Sequence, residues 1–212
     1  MLTSFYRKKN VAIFISGRGS NMRALIDDMK NERDHPGNPK LVVSNNVNAE
    51  GLVFAEQNAI ETFVINTETK QDDSVFEEKT LHVLKRKNIE VICLAGFMKI
   101  LSENFIKSFS KPILNIHPSL LPSFGGLNTY QRALNAGCLI HGATVHQITN
   151  EVDQGPILGQ VIIEIAENST AKKIEEDLLP QEHLLYKSVL REFLKENGKK
   201  VLLTDTLKER QN

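Results

Sequence analysis

Asn115 and His117 stand two residues apart in Ile113-Leu114-Asn115-Ile116-His117-Pro118. Strand alternation would place both side chains on one face, and Pro118 biases His117 toward extended backbone. An amide N–H beside an imidazole suits a developing oxyanion better than a metal ion. Only one residue separates the two, and no Glu or Cys accompanies them at ligand spacing. Asp153, in Thr149-Asn150-Glu151-Val152-Asp153-Gln154-Gly155, is a carboxylate that could complete the set. Meeting His117, it would favour the imidazolium and orient the ring. A well-placed donor of this kind contributes about 3 kcal/mol to an oxyanion. The residues alone leave two other readings open: His117 as a hydrogen-bonded strand-end histidine and Asp153 as a turn former. Ser119 lacks a G-x-S-x-G elbow and reads as a turn residue. No covalent nucleophile is apparent, which suits a substrate bringing its own, such as an amine.

A second constellation is Ser16-Gly17-Arg18-Gly19-Ser20-Asn21, where a strand should end and a helix begin. Glycines there allow a sharp turn with outward N–H groups, and the helix dipole adds positive potential. A phosphate is the natural occupant; a plain βα turn is the bland alternative. The dinucleotide fingerprint fails, because position 22 is Met and the second strand ends in Ser44-Asn45-Asn46 without an acidic residue. One phosphate is therefore favoured over NAD.

The elements that must hold these residues follow from hydrophobic periodicity. Val11-Ala12-Ile13-Phe14-Ile15-Ser16 is continuously β-rich, the pattern of a strand covered on both faces. A helix is predicted from Asn21, a second strand at 40–44, a second helix at 51–57 and a third strand at 62–65. Val75, Leu81 and Leu84 mark a third helix; strands follow at 90–96 and 113–117. This alternation implies βαβ units and a mostly parallel, Rossmann-like twisted sheet. Beyond Gly142, strands at 144–148 and 157–165 form an antiparallel C-terminal extension. A helix over 170–196 closes the packing, with Pro180 as a kink and Gly198 as its C-cap. The expected class is α/β, with one domain over 1–212 in two lobes, about 11–110 and about 111–200.

Composition narrows the function. Lys and Arg number 26 against 26 Asp and Glu, so net charge is zero. No basic excess supports a grip on nucleic acid. No apolar run approaches the ~18 residues that span a bilayer. The first residues do not have the order of a secretory signal, and Cys93 and Cys138 form no C-x-x-C. A cytoplasmic enzyme acting on small molecules is expected, without a nucleic-acid or membrane partner and without a metal.

Six blocks, in order, carry a resemblance. They are Ile15-Ser16-Gly17-x-Gly19-Ser20-Asn21, Leu94-Ala95-Gly96-Phe97-Met98-Lys99-Ile100-Leu101, Leu114-Asn115-Ile116-His117-Pro118-Ser119-Leu120-Leu121-Pro122, His141-Gly142-x-Thr144-Val145-His146, Asp153-Gln154-Gly155-Pro156 and Gln181-Glu182-His183. Together the chain from Val11 to Tyr186 resembles the folate-dependent formyltransferases. The resemblance implies transfer of a formyl group from 10-formyltetrahydrofolate to the amine of a glycinamide ribotide, in purine synthesis, by a monomer or homodimer. It implies Asn115, His117 and Asp153 as catalytic residues, Gly19, Ser20 and Asn21 as the phosphate loop, and Gln181 and Glu182 on the ribose side. The implied folate side is Met98, Lys99, Ile100 and Leu101, with Asn115 and the turn Thr149, Asn150, Glu151, Val152 and Asp153, largely through backbone.

The chain also departs from the family pattern. Ser123-Phe124-Gly125-Gly126 and Asn128 replace a lysine-aromatic-x-glycine run and a histidine. Asp73 stands where some members carry an arginine near the folate tail, and Pro180 lies beside the implied ribose contacts. A formyltetrahydrofolate hydrolase shares the catalytic trio but adds an N-terminal regulatory domain; a tRNA-directed formyltransferase adds a C-terminal one. A silent phosphoribosyl- or folate-binding module is the alternative from another class. His141 and His146 either line the site or pack; His35, His82 and His183 receive no role.

Overall fold

The computed structural model describes residues 7–66, 70–196 and 198–204. The fold is α/β with eight strands, mostly parallel, as expected. The chain divides after Asn115 into two compact units, the first also including Leu194–Glu196.

The first unit alternates strand and helix. Its elements are β1 (Lys9–Ile15), α1 (Ser20–Asn31), β2 (Gly37–Ser44), α2 (Gly51–Gln57), β3 (Glu61–Val64), α3 (Lys70–Arg86), β4 (Val91–Leu94) and α4 (Glu103–Phe109), followed by β5 (Ile113–His117), which crosses the division. The strands pair in parallel in the order β3-β2-β1-β4-β5. Val11, Ala12, Ile13, Phe14 and Ile15 are fully buried, which explains why β1 reads as an unbroken apolar run. Phe14 meets Phe97 edge-on at 5.3 Å, and Phe76 stacks on Phe97 at 5.9 Å. Such pairs add about 1 kcal/mol each beyond area burial.

The second unit holds α5 (Thr129–Asn135), the antiparallel pair β6 (Ile140–Gln147) and β7 (Ile157–Glu164), most of α6 (Ala171–Leu194), and β8 (Val201–Thr204), parallel to β7. Ile174, Leu178, Leu185 and Val189 recur at helical spacing and are buried, giving α6 its packed face.

Several boundaries differ from expectation. β6 begins at Ile140 rather than residue 144, since Ile140 already pairs with Glu164. α6 runs through Pro180 and ends at Leu194. Gly198 has φ +66° but lies four residues further on and does not cap it; Glu196 adopts the nearer left-handed conformation. α4, α5 and β8 were not foreseen. Among the described residues, no helix is long and apolar enough to cross a membrane.

Candidate active site

β5 carries Asn115 and His117 on alternate positions, hence on one face. His117 is buried, with 7% of its surface accessible. The segment that follows is fixed by a buried polar network. Thr144 on β6 donates its hydroxyl to the Ser119 carbonyl at 2.7 Å and accepts from the Leu121 amide at 3.0 Å. Gln160 on β7 donates to the Leu121 carbonyl and to the Thr144 hydroxyl, both at 3.0 Å. Ser119 donates to the Ser123 carbonyl at 2.7 Å, so its hydroxyl serves the turn and is no nucleophile. Satisfied networks of this kind hold one backbone path.

Asp153 reaches His117 from the turn between β6 and β7. Its Oδ2 lies 3.6 Å from His117 Nδ1 and accepts the Gly126 amide at 2.9 Å. The other ring nitrogen, Nε2, lies 3.2 Å from the Phe124 carbonyl oxygen. Both nitrogens of His117 thus face acceptors. A neutral imidazole donates at one nitrogen; an imidazolium donates at both. The geometry places a ring donor beside a carboxylate.

His146 on β6 faces the same carboxylate from the other side, its Nε2 3.7 Å from Asp153 Oδ1. Burial pushes its pKa below the ordinary histidine value; Asp153 opposes that shift and His117 adds to it. His141 instead packs, with Nε2 3.0 Å from the Pro118 carbonyl and its ring edge-on to Tyr130 at 5.4 Å. Of the two histidines left open by the sequence, His146 belongs to the carboxylate and His141 to the packing. The contacts of the Phe124 carbonyl and the Gly126 amide are made by backbone, and no residue type announces them.

A cavity of about 350 Å³ opens beside this carboxylate, lined by Leu121, Pro122, Gly125, Val152, Asp153 and Ile157. Its lining, in which apolar side chains alternate with one carboxylate, the Gln154 amide and backbone, suits a flat, heteroatom-edged ring. In the neighbouring turn the Thr149 hydroxyl donates to the Glu151 carbonyl at 3.2 Å; Thr149, Asn150, Glu151 and Val152 are exposed. On α6, Glu182 is buried and Gln181 half-buried. Burial, then the charges of Glu182 and Glu175, push the Tyr130 hydroxyl far above its usual pKa.

In the first unit, Gly19 caps α1 in the left-handed region, φ +69°, where a side chain is disfavoured. A Cβ there would also come within 3.2 Å of Gly51 Cα and 3.1 Å of Met22 Cε. Asn45 and Asn46, which replace the acidic end of a dinucleotide site, anchor this loop. The Ser16 hydroxyl donates to Asn45 Oδ1 at 2.6 Å, and Asn46 Nδ2 donates to the Ser16 carbonyl at 3.0 Å. The Met98 amide donates to the Ser16 hydroxyl at 2.8 Å. Met98 and Ile100 are 76% and 79% exposed, whereas Leu101 is buried. Lys99 pairs with Asp73, the position that departs from the family arginine.

The histidines give a stability prediction. Burial depresses the pKa of His141, His146 and His183, with Lys187 adding at His183. Below about pH 6.5 the unfolded chain binds protons that the folded chain resists. Stability is therefore full above that pH and declines as pH falls toward the depressed values. Melting temperatures should be level from pH 7.5 to about 6.5 and fall from there to pH 5.5, and His146→Gln should flatten the fall; a wild-type profile flat down to pH 5.5 would count against neutral burial of these rings.

The family model described as formyl transferase matches residues 9–190. Phosphoribosylglycinamide formyltransferase of Haemophilus influenzae is 38% identical over 185 residues, covering 87% of each chain. The trifunctional purine biosynthetic protein adenosine-3 of Homo sapiens is 39% identical over 189 residues; the chain spans 19% of that protein's length. The crystal structure of phosphoribosylglycinamide formyltransferase from Brucella melitensis superposes with a TM-score of 0.83 at 41% identity, covering 89% of this chain and 96% of that one. With most of its length matched by the family model, this chain belongs to the formyl transferase family.

Proposed function

We propose that this chain transfers the formyl group of 10-formyltetrahydrofolate to the amine of phosphoribosylglycinamide, a step of purine biosynthesis. The observation that carries the reading is the His117–Asp153 pair beside the cavity, in a chain collinear with phosphoribosylglycinamide formyltransferases. 10-Formyltetrahydrofolate supplies the reacting carbon. Asn115 and the charged His117 donate to the formyl oxygen as the amine adds to that carbon and the oxygen gains negative charge, the His117 Nε2–H being shared between that oxygen and the Phe124 carbonyl. Asp153 keeps His117 charged and aligned. The proton leaving the attacking nitrogen passes to the departing folate nitrogen by way of His117 or water held on Asp153.

In this reading Gly19, Ser20 and Asn21 bind the phosphate through backbone N–H groups and the start of α1. Gln181 and Glu182 accept from the ribose hydroxyls. Met98, Lys99, Ile100 and Leu101, with Asn115 and the turn from Thr149 to Asp153, bind the folate. The setting is cytoplasmic and the working form a monomer or homodimer, which light scattering on the purified chain measures.

The test mixes purified protein and 10-formyltetrahydrofolate with and without the ribotide, and follows folate release. Release that requires the ribotide supports the transferase; equal release without it identifies a hydrolase, and no release in either arm leaves only a binding module.

A further inference from the structure

We infer that Arg132 is a positioning residue for the His117–Asp153 pair, an inference that rests on the transferase reading. Arg132 lies on the outer side of α5 and is exposed. Its Nη1 nonetheless donates back to two carbonyls of the preceding loop, Gly125 at 2.6 Å and Leu127 at 3.3 Å. Its guanidinium also sits over the Phe124 ring, 5.6 Å from the centroid. One planar cation therefore holds three neighbouring loop residues, two through the single nitrogen Nη1 and one through a flat guanidinium face that lysine does not possess.

The loop needs such a clamp. Phe124 and Asn128 both occupy left-handed backbone, each at φ 56°, where residues with a side chain are uncommon. From this loop come the two backbone groups that touch the catalytic pair. The Phe124 carbonyl faces His117 Nε2 at 3.2 Å, and the Gly126 amide donates to Asp153 Oδ2 at 2.9 Å. The residues Arg132 grips, Phe124, Gly125 and Leu127, thus interleave with the residues that orient imidazole and carboxylate. With the clamp gone, the Phe124 carbonyl and the Gly126 amide leave their places. His117 then loses the acceptor at one nitrogen, and Asp153 loses a donor.

Arg132 touches neither reacting atom, so its effect should fall on turnover rather than on binding. Arg132→Gln should lower kcat by on the order of tenfold to a hundredfold, with KM for both substrates within about threefold and the thermal midpoint nearly unchanged. Arg132→Lys, which keeps the charge but not the flat guanidinium face, should recover only part of the loss. An activity-independent readout is the His117 Nε2–H proton resonance. It should be protected from solvent exchange in the wild type and broadened or lost in Arg132→Gln. Wild-type kcat in Arg132→Gln, or an unchanged resonance, would overturn the inference. An inactive wild type whose resonance still responds to Arg132 would overturn the transferase reading while leaving the clamp intact.

Discussion

Asp153→Asn is expected to lower kcat by on the order of a thousandfold while leaving the fold intact. The substitution is nearly isosteric, and the side chain is only 13% exposed, so packing changes little. A carboxamide oxygen can still accept the Gly126 amide, now 2.9 Å from Asp153 Oδ2. The negative charge 3.6 Å from His117 Nδ1 is lost. His117→Ala removes the donor itself and should cost a similar factor. The two losses should not multiply in the double variant, because one unit is being removed. Steady-state kinetics with both substrates varied decide the matter: KM near wild type with collapsed kcat is expected, and turnover within a few-fold of wild type in Asp153→Asn would contradict the assigned role.

The second large effect concerns the fold of the turn that delivers Asp153. Gly155 is buried, and a Cβ added there would lie 1.7 Å from the Gln147 carbonyl oxygen and 2.9 Å from its carbon. That backbone is not free to withdraw, since the Gln147 amide donates to the Pro156 carbonyl at 3.0 Å. Gly155→Ala must therefore separate the end of β6 from the turn, displacing His146 and Asp153 together. A cost of about 4 kcal/mol is expected, read as a fall in melting temperature of roughly 10 °C for a domain of this size. Gly125→Ala is the matched control. Its Cβ would meet Asp153 Cβ at 3.7 Å, an ordinary contact, so its melting temperature should stay within about 2 °C of wild type. Equal melting temperatures for the two variants would mean that the turn can rearrange, and the close-approach argument would fail.

What the sequence made legible, and what it hid, follows from how each feature is encoded. β5 and α2 were readable to the residue, because apolar runs between Pro, Gly and Asn punctuation leave little choice. The pairing of His117 with Asp153 rested on the family resemblance, since nothing local links a strand end to a turn 36 positions later. α4 spans only seven residues, yet it carried a signal: Ser102 caps it by accepting the Phe105 amide at 3.0 Å. β8 also had one, the β-rich Val201-Leu202-Leu203-Thr204, but four residues are too few for periodicity to tell a strand from a helix. α5 lacked such a signal, since its N-cap Asn128 acts through left-handed backbone and makes no side-chain bond.

The site divides the same way. Side chains with chemistry were visible; the backbone groups that aim them were not. His146 was visible as a residue but not as a neighbour of Asp153, because burial in β6 decides where its ring points. Phe97 directly precedes the Met98–Leu101 stretch implied for the folate, yet its ring stacks on Phe76 and meets Phe14, so it belongs to the core. Apolar side chains beside a binding segment serve packing as readily as ligands, and only burial separates the two.

The most direct test follows the carbon itself. Folate carrying a ¹³C-labelled formyl group is incubated with the ribotide and either wild-type chain or His117→Ala, and the label is located by NMR. Wild-type protein should place the label on the ribotide amine as a formamide, and the variant should do so slower by orders of magnitude. Label recovered as free formate, or labelled ribotide formed as fast by His117→Ala, would contradict the account.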